Sequence, residues 1–570
     1  MNHTSPAIVS QTAVRRLPRL ALLLFCAAYV LPGFIGREPW KNADVSAFGV
    51  MYQLAQGNTS WWHPSFLGAP LEDAGALPYW LGALSIQVFS FLPADLAARL
   101  PFLLLLILTL SGTWYAIFNL ARQKAAQPVM FAFGGEAHPT DYARALADAG
   151  LLALVACLGL AQLSHETTPA MARLAPVAGL LFAASRFALP GNGRTDWLAM
   201  LIWAASSAAL AMGGGAVLAG FLGTGLLVFS YLTLQQQQQR EATASTATPL
   251  VLALGILAVC VGLAHQTGQI NTPPVRFPTD FSEWQRWLRL LVWFTWPAWP
   301  LAMWTLWGWR RQLLRAHVVL PLWTALTSIF TSAVNPAFDR ALLLGLPGFA
   351  ALAAFALPTL RRSFSALIDW FTLIFFTGCA LVIWVVWMSM MTGFPAKPAA
   401  NVARLAPGFT PSFSFWLFFF GALATLAWLW LVSWRVGRHR QAIWKSLVLP
   451  AAGATLCWLL LMTLWLPMLD FARSYGPIAR RVALILPKIS CVAADGLSQA
   501  QMASLIYQGN MDIRRIETPD AQDCQALVVA EEQQPSLSER IELTEWAYRA
   551  KVHRLNSRQE AILVYIRLSP

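Results

Sequence analysis

The chain has 570 residues, of which 57% are hydrophobic and only 12% charged, against about 25% charged in ordinary soluble domains. That balance excludes a soluble globular protein of this size and leaves a polytopic membrane protein. The net charge of +13 does not point to nucleic acid, because most Lys and Arg sit in short loops beside apolar runs, where they set topology.

Arg15, Arg16 and Arg19 precede the apolar run 20–36. No small-x-small cleavage site lies near Tyr29-Val30-Leu31-Pro32, so the run reads as an uncleaved first helix with a cytoplasmic N-terminus. The outer loop 37–100 follows. Its apolar stretch 79–92 is short, and a crossing there would put Arg122 and Lys124 outside, so it is expected to lie along the bilayer surface. Residues 101–120 cross back to a cytoplasmic loop, 125–147. Residues 150–163 then cross outward to Ser164-His165-Glu166-Thr167-Thr168-Pro169, and 171–184 return to Arg186 and Arg194. The next pair, 197–212 and 216–234, ends at the low-complexity linker 235–240. Further outward runs at 250–264, 317–331, 368–391 and 446–469 alternate with return runs at 287–307, 341–357 and 413–434. The returns end at Arg310/Arg311, Arg361/Arg362 and Arg435/Arg438/Arg440. With about 20 apolar residues per crossing this makes about thirteen spans, each return helix ending in a basic loop. The fold class expected is therefore an all-α polytopic membrane domain, residues 1–472, in a bacterial inner membrane. The loop 37–100 and the tail 473–570 fall on the periplasmic side.

From Arg473 the composition turns soluble and reads as a small α/β domain. It has a helix at 497–509, ending near a glycine, and strands at 512–516, 526–530, 546–554 and 561–568. Cys26, Cys157, Cys260, Cys379 and Cys457 lie in apolar spans. Cys491 and Cys524 fall in the tail, where an oxidising compartment favours a disulfide over two buried free thiols.

Polar groups held at a membrane boundary are costly, so the first outer loop is where chemistry is expected. It carries Arg37, Lys41 and Asp44, then Glu72-Asp73-Ala74-Gly75, then Tyr79-Trp80, and Ala97-Ala98-Arg99-Leu100-Pro101. An Asp soon after helix one, an acidic pair before a Tyr-Trp juxtamembrane segment, and Ala-Ala-Arg-Leu-Pro opening the next helix together resemble GT-C membrane glycosyltransferases. The nearest group is the aminoarabinose transferases (ArnT-like) and protein O-mannosyltransferases. The resemblance covers the whole chain in layout and is motif-specific over 44–101. It implies a transferase that takes a sugar from a polyprenyl-phosphate donor, with inversion, and passes it to a lipid, glycan or protein acceptor. The family's loop-one Asp falls on Asp44, its second acidic position on Asp73 or Glu72, and its Arg before Leu-Pro on Arg99. One departure matters: the aminoarabinose transferases have Glu-Lys-Pro before the Tyr-Trp segment, and this chain lacks that Lys. The transferred sugar is therefore not tied to aminoarabinose, and Lys41 is the cation left to replace it.

The chemistry asks for a carboxylate base to take the acceptor proton and for cations around the departing phosphate. Asp44 is the candidate base, with Asp73 or Glu72 as a second carboxylate. Arg99 is the candidate phosphate ligand, helped by Arg37 and Lys41, and Tyr79 is a further substrate contact. Each has a plainer role: Asp44 as a cap of the helix 45–56, Glu72/Asp73 as a solvated turn, Arg99 as an interfacial anchor. His165 and Glu166 line the outer face and leave a divalent metal possible, although two residues are not a ligand set. Arg340, beside Asp339, holds a lipid phosphate or simply pairs with its neighbour. The many Trp fit an interfacial belt better than sugar platforms. Two other functions compete. A flippase or transporter of lipid-linked sugars should show repeats of its spans and charges at mid-membrane, neither of which is visible. A surface-glycan polymerase or ligase should place its polar residues in a large late loop.

Overall fold

The computed structural model describes the chain except residues 1–4, 41, 72–74, 190–195, 239–246, 271–275, 336–337, 437–441, 487–490, 538–541, 555–559 and 569–570. The first elements are α1 (Arg19–Val30), α2 (Ala43–Ala55), the two-residue strands β1 (Ser65–Phe66) and β2 (Ala69–Pro70), α3 (Leu77–Val88) and α4 (Ala94–Ala121). Then come α5 (Pro139–Ala156), the single turn α6 (Leu160–Leu163) and α7 (Pro169–Phe187).

Among the described residues, seven helices are long and apolar enough to cross a membrane, or eight with the bent pair Lys445–Leu461 and Leu466–Arg473, which turn by 70°. The thirteen expected crossings are not reached by length and composition alone. One reason is that the stretch Trp197–Gln236 counts once, yet it is a hairpin. Gly214 has φ +76°, and a Cβ on Gly223 would lie 3.5 Å from the Trp203 ring, so the two arms run side by side. Other expected spans are built from pieces. The expected run 150–163 starts earlier, as α5, and stops at Cys157, where the backbone turns extended. The expected run 287–307 divides into Phe281–Phe294 and Ala298–Gly308. The two breaks satisfy each other: Leu158 N–H donates to the Trp296 carbonyl (3.2 Å) and Gly159 N–H to the Phe294 carbonyl (2.9 Å). Backbone groups freed within a bilayer must find such partners inside the protein.

The loops segregate to two ends. At one end, the Trp444 indole donates to the Arg15 carbonyl, Arg16 pairs with Asp141, and Gln123 donates to the Ala188 carbonyl. At the other, the first loop meets residues 166–167, 213–214, 269 and 470–480, as detailed below. The juxtamembrane expectation for 79–92 corresponds to α3, a 12-residue helix packed on α2.

The tail forms a five-stranded sheet of β3 (Val492–Asp495), β4 (Ile513–Arg515), β5 (Ala526–Ala530), β6 (Trp546–His553) and β7 (Ala561–Arg567), in the order β4-β3-β5-β7-β6. Strand β3 is parallel to β4 and to the central β5, while β7 is antiparallel to β5 and β6. Strand β3 was not expected from the sequence, being only four residues long; the apolar run 482–487 just before it belongs largely to the helix Gly476–Ile485. Cys491 and Cys524 are bonded, with Cα atoms 5.0 Å apart. Helix Gln499–Tyr507 crosses from β3 to β4. Ser498 caps it, and Gln501 completes a reciprocal capping box. This helix lies directly on α2: a Cβ on Gly49 would fall 2.4 Å from that of Ala503, so only glycine allows the approach.

Candidate active site

The first loop is pinned to the bundle by one carboxylate. Asp44 sits in the first turn of α2 and is 1% exposed. One of its oxygens accepts from Arg37 Nη1 (2.7 Å) and from the Trp40 N–H (3.1 Å). The other accepts from the Thr167 N–H (2.8 Å) and hydroxyl (2.7 Å). Burial by itself would raise the Asp44 carboxyl. The charges of Arg37 and Arg99 and the Thr167 bonds outweigh it and hold the group below the ordinary carboxylate range.

Arg37 is equally enclosed. Its guanidinium donates to the carbonyls of Gly33 (2.8 Å) and His165 (2.6 Å) as well as to Asp44. Arg99 was expected at a helix start facing outward. It lies instead in the second turn of α4, because Pro93 and Asp95 begin the helix earlier than the apolar run suggests. It is 2% exposed, donates to the Arg37 carbonyl (2.6 Å), and stands 3.5 Å from Asp95. Arg37 and Arg99 are therefore interior braces of the loop, and among the described residues the buried Arg99 Nη2 has no hydrogen-bond partner.

His165 is also corrected. It does not line the outer face: its ring is fully buried among Phe34, Trp458 and Tyr29, with both nitrogens facing backbone carbonyls of Ala161, Tyr29 and Val30. Burial pushes its pKa down to about 4, so the ring is neutral near pH 7. Gly33 passes so close that a Cβ there would overlap the imidazole.

Glu166 differs from Asp44. Its Oε1 accepts from Gln162 Nε2 (2.9 Å), but among the described residues its buried Oε2 has no hydrogen-bond partner. The nearest cation is Arg340, whose Nη2 lies 3.7 Å away, too far for a hydrogen bond, and whose side chain is 34% exposed. Burial, and then the charge of Asp44, push the Glu166 carboxyl above its ordinary range. Two carboxylates side by side are thus driven apart in proton affinity, which marks a candidate acid–base pair.

Residues that sequence reasoning missed complete the surround. Arg473 donates to Gln162 Oε1 (2.8 Å) and lies 5.0 Å over the Trp40 ring, while Arg37 lies 4.9 Å from the same ring. The Trp40 indole N–H and the Glu38 N–H both donate to Asp470, at 3.0 and 2.9 Å. Asp470 and Arg473 close the last apolar run, where the sequence signals only a helix end. Tyr79 is buried in the first turn of α3. Lys41, Glu72 and Asp73 lie outside the described residues. The neighbours of that acidic turn are described. The Ala76 N–H donates to the buried Gln269 (2.7 Å), and Gly75 packs on the Gly213–Gly214 backbone, with Arg173 bonded to the Gly213 carbonyl (2.6 Å). No group of three or more His, Cys, Asp or Glu able to hold a metal occurs among the described residues.

No family model matches the chain, and no curated protein does. Solved structures do. The crystal structure of ArnT from Cupriavidus metallidurans in the apo state superposes with a TM-score of 0.62 over 95% of this chain and 97% of that one, at 14% identity. The chain has the ArnT fold. The same enzyme bound to undecaprenyl phosphate gives a TM-score of 0.59 at 14% identity, with 96% and 98% of the two chains covered. An Archaeoglobus fulgidus oligosaccharyltransferase gives 0.42 over 93% of this chain and 71% of that one, at 10% identity. The likeness to ArnT extends over both the helical bundle and the C-terminal sheet. The likeness is one of fold.

Proposed function

We propose that this protein is a GT-C-type glycosyltransferase that moves a sugar from a polyprenyl-phosphate-linked donor to a lipid, glycan or protein acceptor. On this reading the transfer takes place at the periplasmic face of a bacterial inner membrane. The observation that carries it is the Asp44–Glu166 pair with its arginines, formed where the first loop meets residues 166–167 in an ArnT-like fold. The ArnT crystallised with undecaprenyl phosphate supports the donor class.

In the reaction, an acceptor hydroxyl oxygen bonds to the anomeric carbon as the bond from that carbon to the phosphate oxygen breaks. The leaving polyprenyl phosphate keeps the electron pair, and the acceptor proton goes to a base. Asp44, the candidate from sequence, has both oxygens fully engaged by four donors, so we assign it the fixed negative charge that braces the loop. Glu166 is the base: burial and the charge of Asp44 raise its proton affinity, which favours taking the acceptor proton, and its Oε2 has no competing donor among the described residues. Arg340 and Arg473 replace Arg99 and Arg37 as the phosphate ligands, since they flank Glu166 and are not enclosed. Drawn to the donor phosphate, Arg340 leaves Glu166 open to the acceptor.

The test is to offer the purified protein a set of polyprenyl-phosphate sugars with envelope extracts and follow the label. Label moving to an acceptor with stoichiometric release of polyprenyl phosphate is expected. If lipid-linked sugar crosses a bilayer with no donor consumed, the protein is a flippase and the transferase reading is wrong.

A further inference from the structure

A cleft of about 570 Å³ lies between the first loop and the C-terminal sheet domain. One wall is the end of α2 and the β1–β2 turn; the other is the end of helix Gln499–Tyr507 and strand β4. Its size is that of a ligand site of several rings, since such pockets run from about 300 to 1,000 Å³. It opens at the opposite end of α2 from Asp44. Tyr52 and Gln56 are 8 and 12 residues beyond Asp44, about 12–18 Å along the helix axis.

Its lining is polar without net charge. The side-chain amides of Gln56 and Asn510 have no hydrogen-bond partner among the described residues. Two acidic and two basic residues line it, and of these Asp512 and Arg514 neutralise one another at 2.9 Å. Tyr52, held by Phe48 and Tyr507, adds an aromatic surface. A phosphate, a polyanion or an acyl chain would each ask for a different wall. Amides, hydroxyls and an aromatic ring suit a neutral, hydroxyl-rich ligand.

Backbone strain gives an independent mark. Among the described residues, the two non-glycine residues with positive φ are Leu67 and Asn510, both at 49°, and both line this cleft from opposite walls. A leucine in that conformation is strained, because its Cβ crowds the following carbonyl, where glycine would not be. Strain of this kind clusters at ligand sites, where it aims a side chain or backbone group.

We propose that this cleft is a saccharide subsite that holds a neutral sugar segment of the acceptor. One end of α2 then carries the reacting centre and the other end grips the acceptor, so the distance between them sets acceptor length. The acceptor role rests on the transferase reading above; sugar binding by the cleft does not.

The test uses the full-length protein in detergent micelles, titrated with cellotriose and chitotriose, and with trigalacturonate as an acidic control. Gln56→Trp, a bulky change at an exposed position, fills the cleft, and Gln56→Ala removes the amide without crowding. The neutral trisaccharides should bind wild type, with weaker binding of trigalacturonate. Gln56→Trp should weaken neutral binding by about tenfold or more, with a smaller loss for Gln56→Ala. In transfer assays the same variants should raise the acceptor KM more than they lower kcat. No neutral binding, or binding and acceptor KM unaffected by both variants, overturns the proposal. Neutral binding in a protein that consumes no donor overturns the acceptor role and the transferase reading together. Donor turnover with an unaltered acceptor KM overturns the subsite alone.

Discussion

The sharpest prediction separates the two carboxylates. Asp44→Asn replaces an ionised acceptor of four hydrogen bonds by an amide whose nitrogen has to face two N–H donors or the Thr167 hydroxyl and N–H. It also leaves the Arg37 guanidinium, 2% exposed, without its counter-charge. Removing one partner of a buried pair costs about 3–5 kcal/mol, because the other charge stays buried. Glu166→Gln is different. The substituted side chain keeps an oxygen to accept from Gln162, and the Oε2 it replaces had no hydrogen-bond partner, so the variant should lose less stability than Asp44→Asn, about 1–3 kcal/mol at most for the buried amide. Transfer should nevertheless fall by about 10²–10⁴, the usual worth of a positioned base. The assay pairs thermal unfolding, read by tryptophan fluorescence, with label transfer from a polyprenyl-phosphate sugar. A fully active Glu166→Gln beside a folded but inactive Asp44→Asn would falsify the assignment and return the base to Asp44. An Asp44→Asn as stable as wild type would refute the brace.

The remaining expectations are narrower. The acid limb of kcat/KM should lie above the ordinary carboxylate pKa of about 4.3, since Glu166 must lose its proton to act, and that limb should move to lower pH if Asp44's charge is removed in a folded variant. Arg340→Ala and Arg473→Ala should each raise the donor KM by roughly tenfold to a hundredfold, the worth of a charged hydrogen bond, while Arg340→Lys restores only part because the fork is lost; an unaltered KM in both alanine variants removes them from the phosphate site. Gly75→Ala should lower activity and cost about 1–3 kcal/mol, since its Cβ would fall 2.1 Å from the Gly213 carbonyl carbon, and backbone must shift. Cys491→Ser should destabilise the sheet domain by about 2–4 kcal/mol, given the 33-residue separation it no longer closes; proteolysis of that domain with and without reductant reads the effect.

The arrangement of the site explains which residues were legible in the sequence. Asp44 stood out because a carboxylate just after the first apolar run has no topological use. Glu166 and Arg340 stood out as charges at the ends of spans. The burial of Arg37 and Arg99 was not legible because an arginine in a loop and one buried beneath it look alike in sequence. What distinguishes them is the set of carbonyls that each reaches, at Gly33, His165 and Arg37 itself. Arg473, Trp40, Gln162 and Thr167 carried no signal, since each is ordinary where it stands. Their roles arise from meeting across sequence separations that run from 123 positions for Thr167 with Asp44 to 430 for Trp40 with Asp470.

Hydropathy and basic loops determined by themselves that the chain is a helical membrane protein with a soluble tail, because the cost of moving charged side chains and unpaired backbone into lipid acts residue by residue. The first loop's motif likewise pointed to the architecture that the ArnT comparison supports. Only the tertiary structure decided where helices break, as at Cys157 and Thr295, because those breaks are stable only when they exchange hydrogen bonds with each other. It also decided which carboxylate is saturated and which retains a free oxygen. Proton affinity in a buried site depends on the donors that surround a group, and those come from segments far apart in the chain.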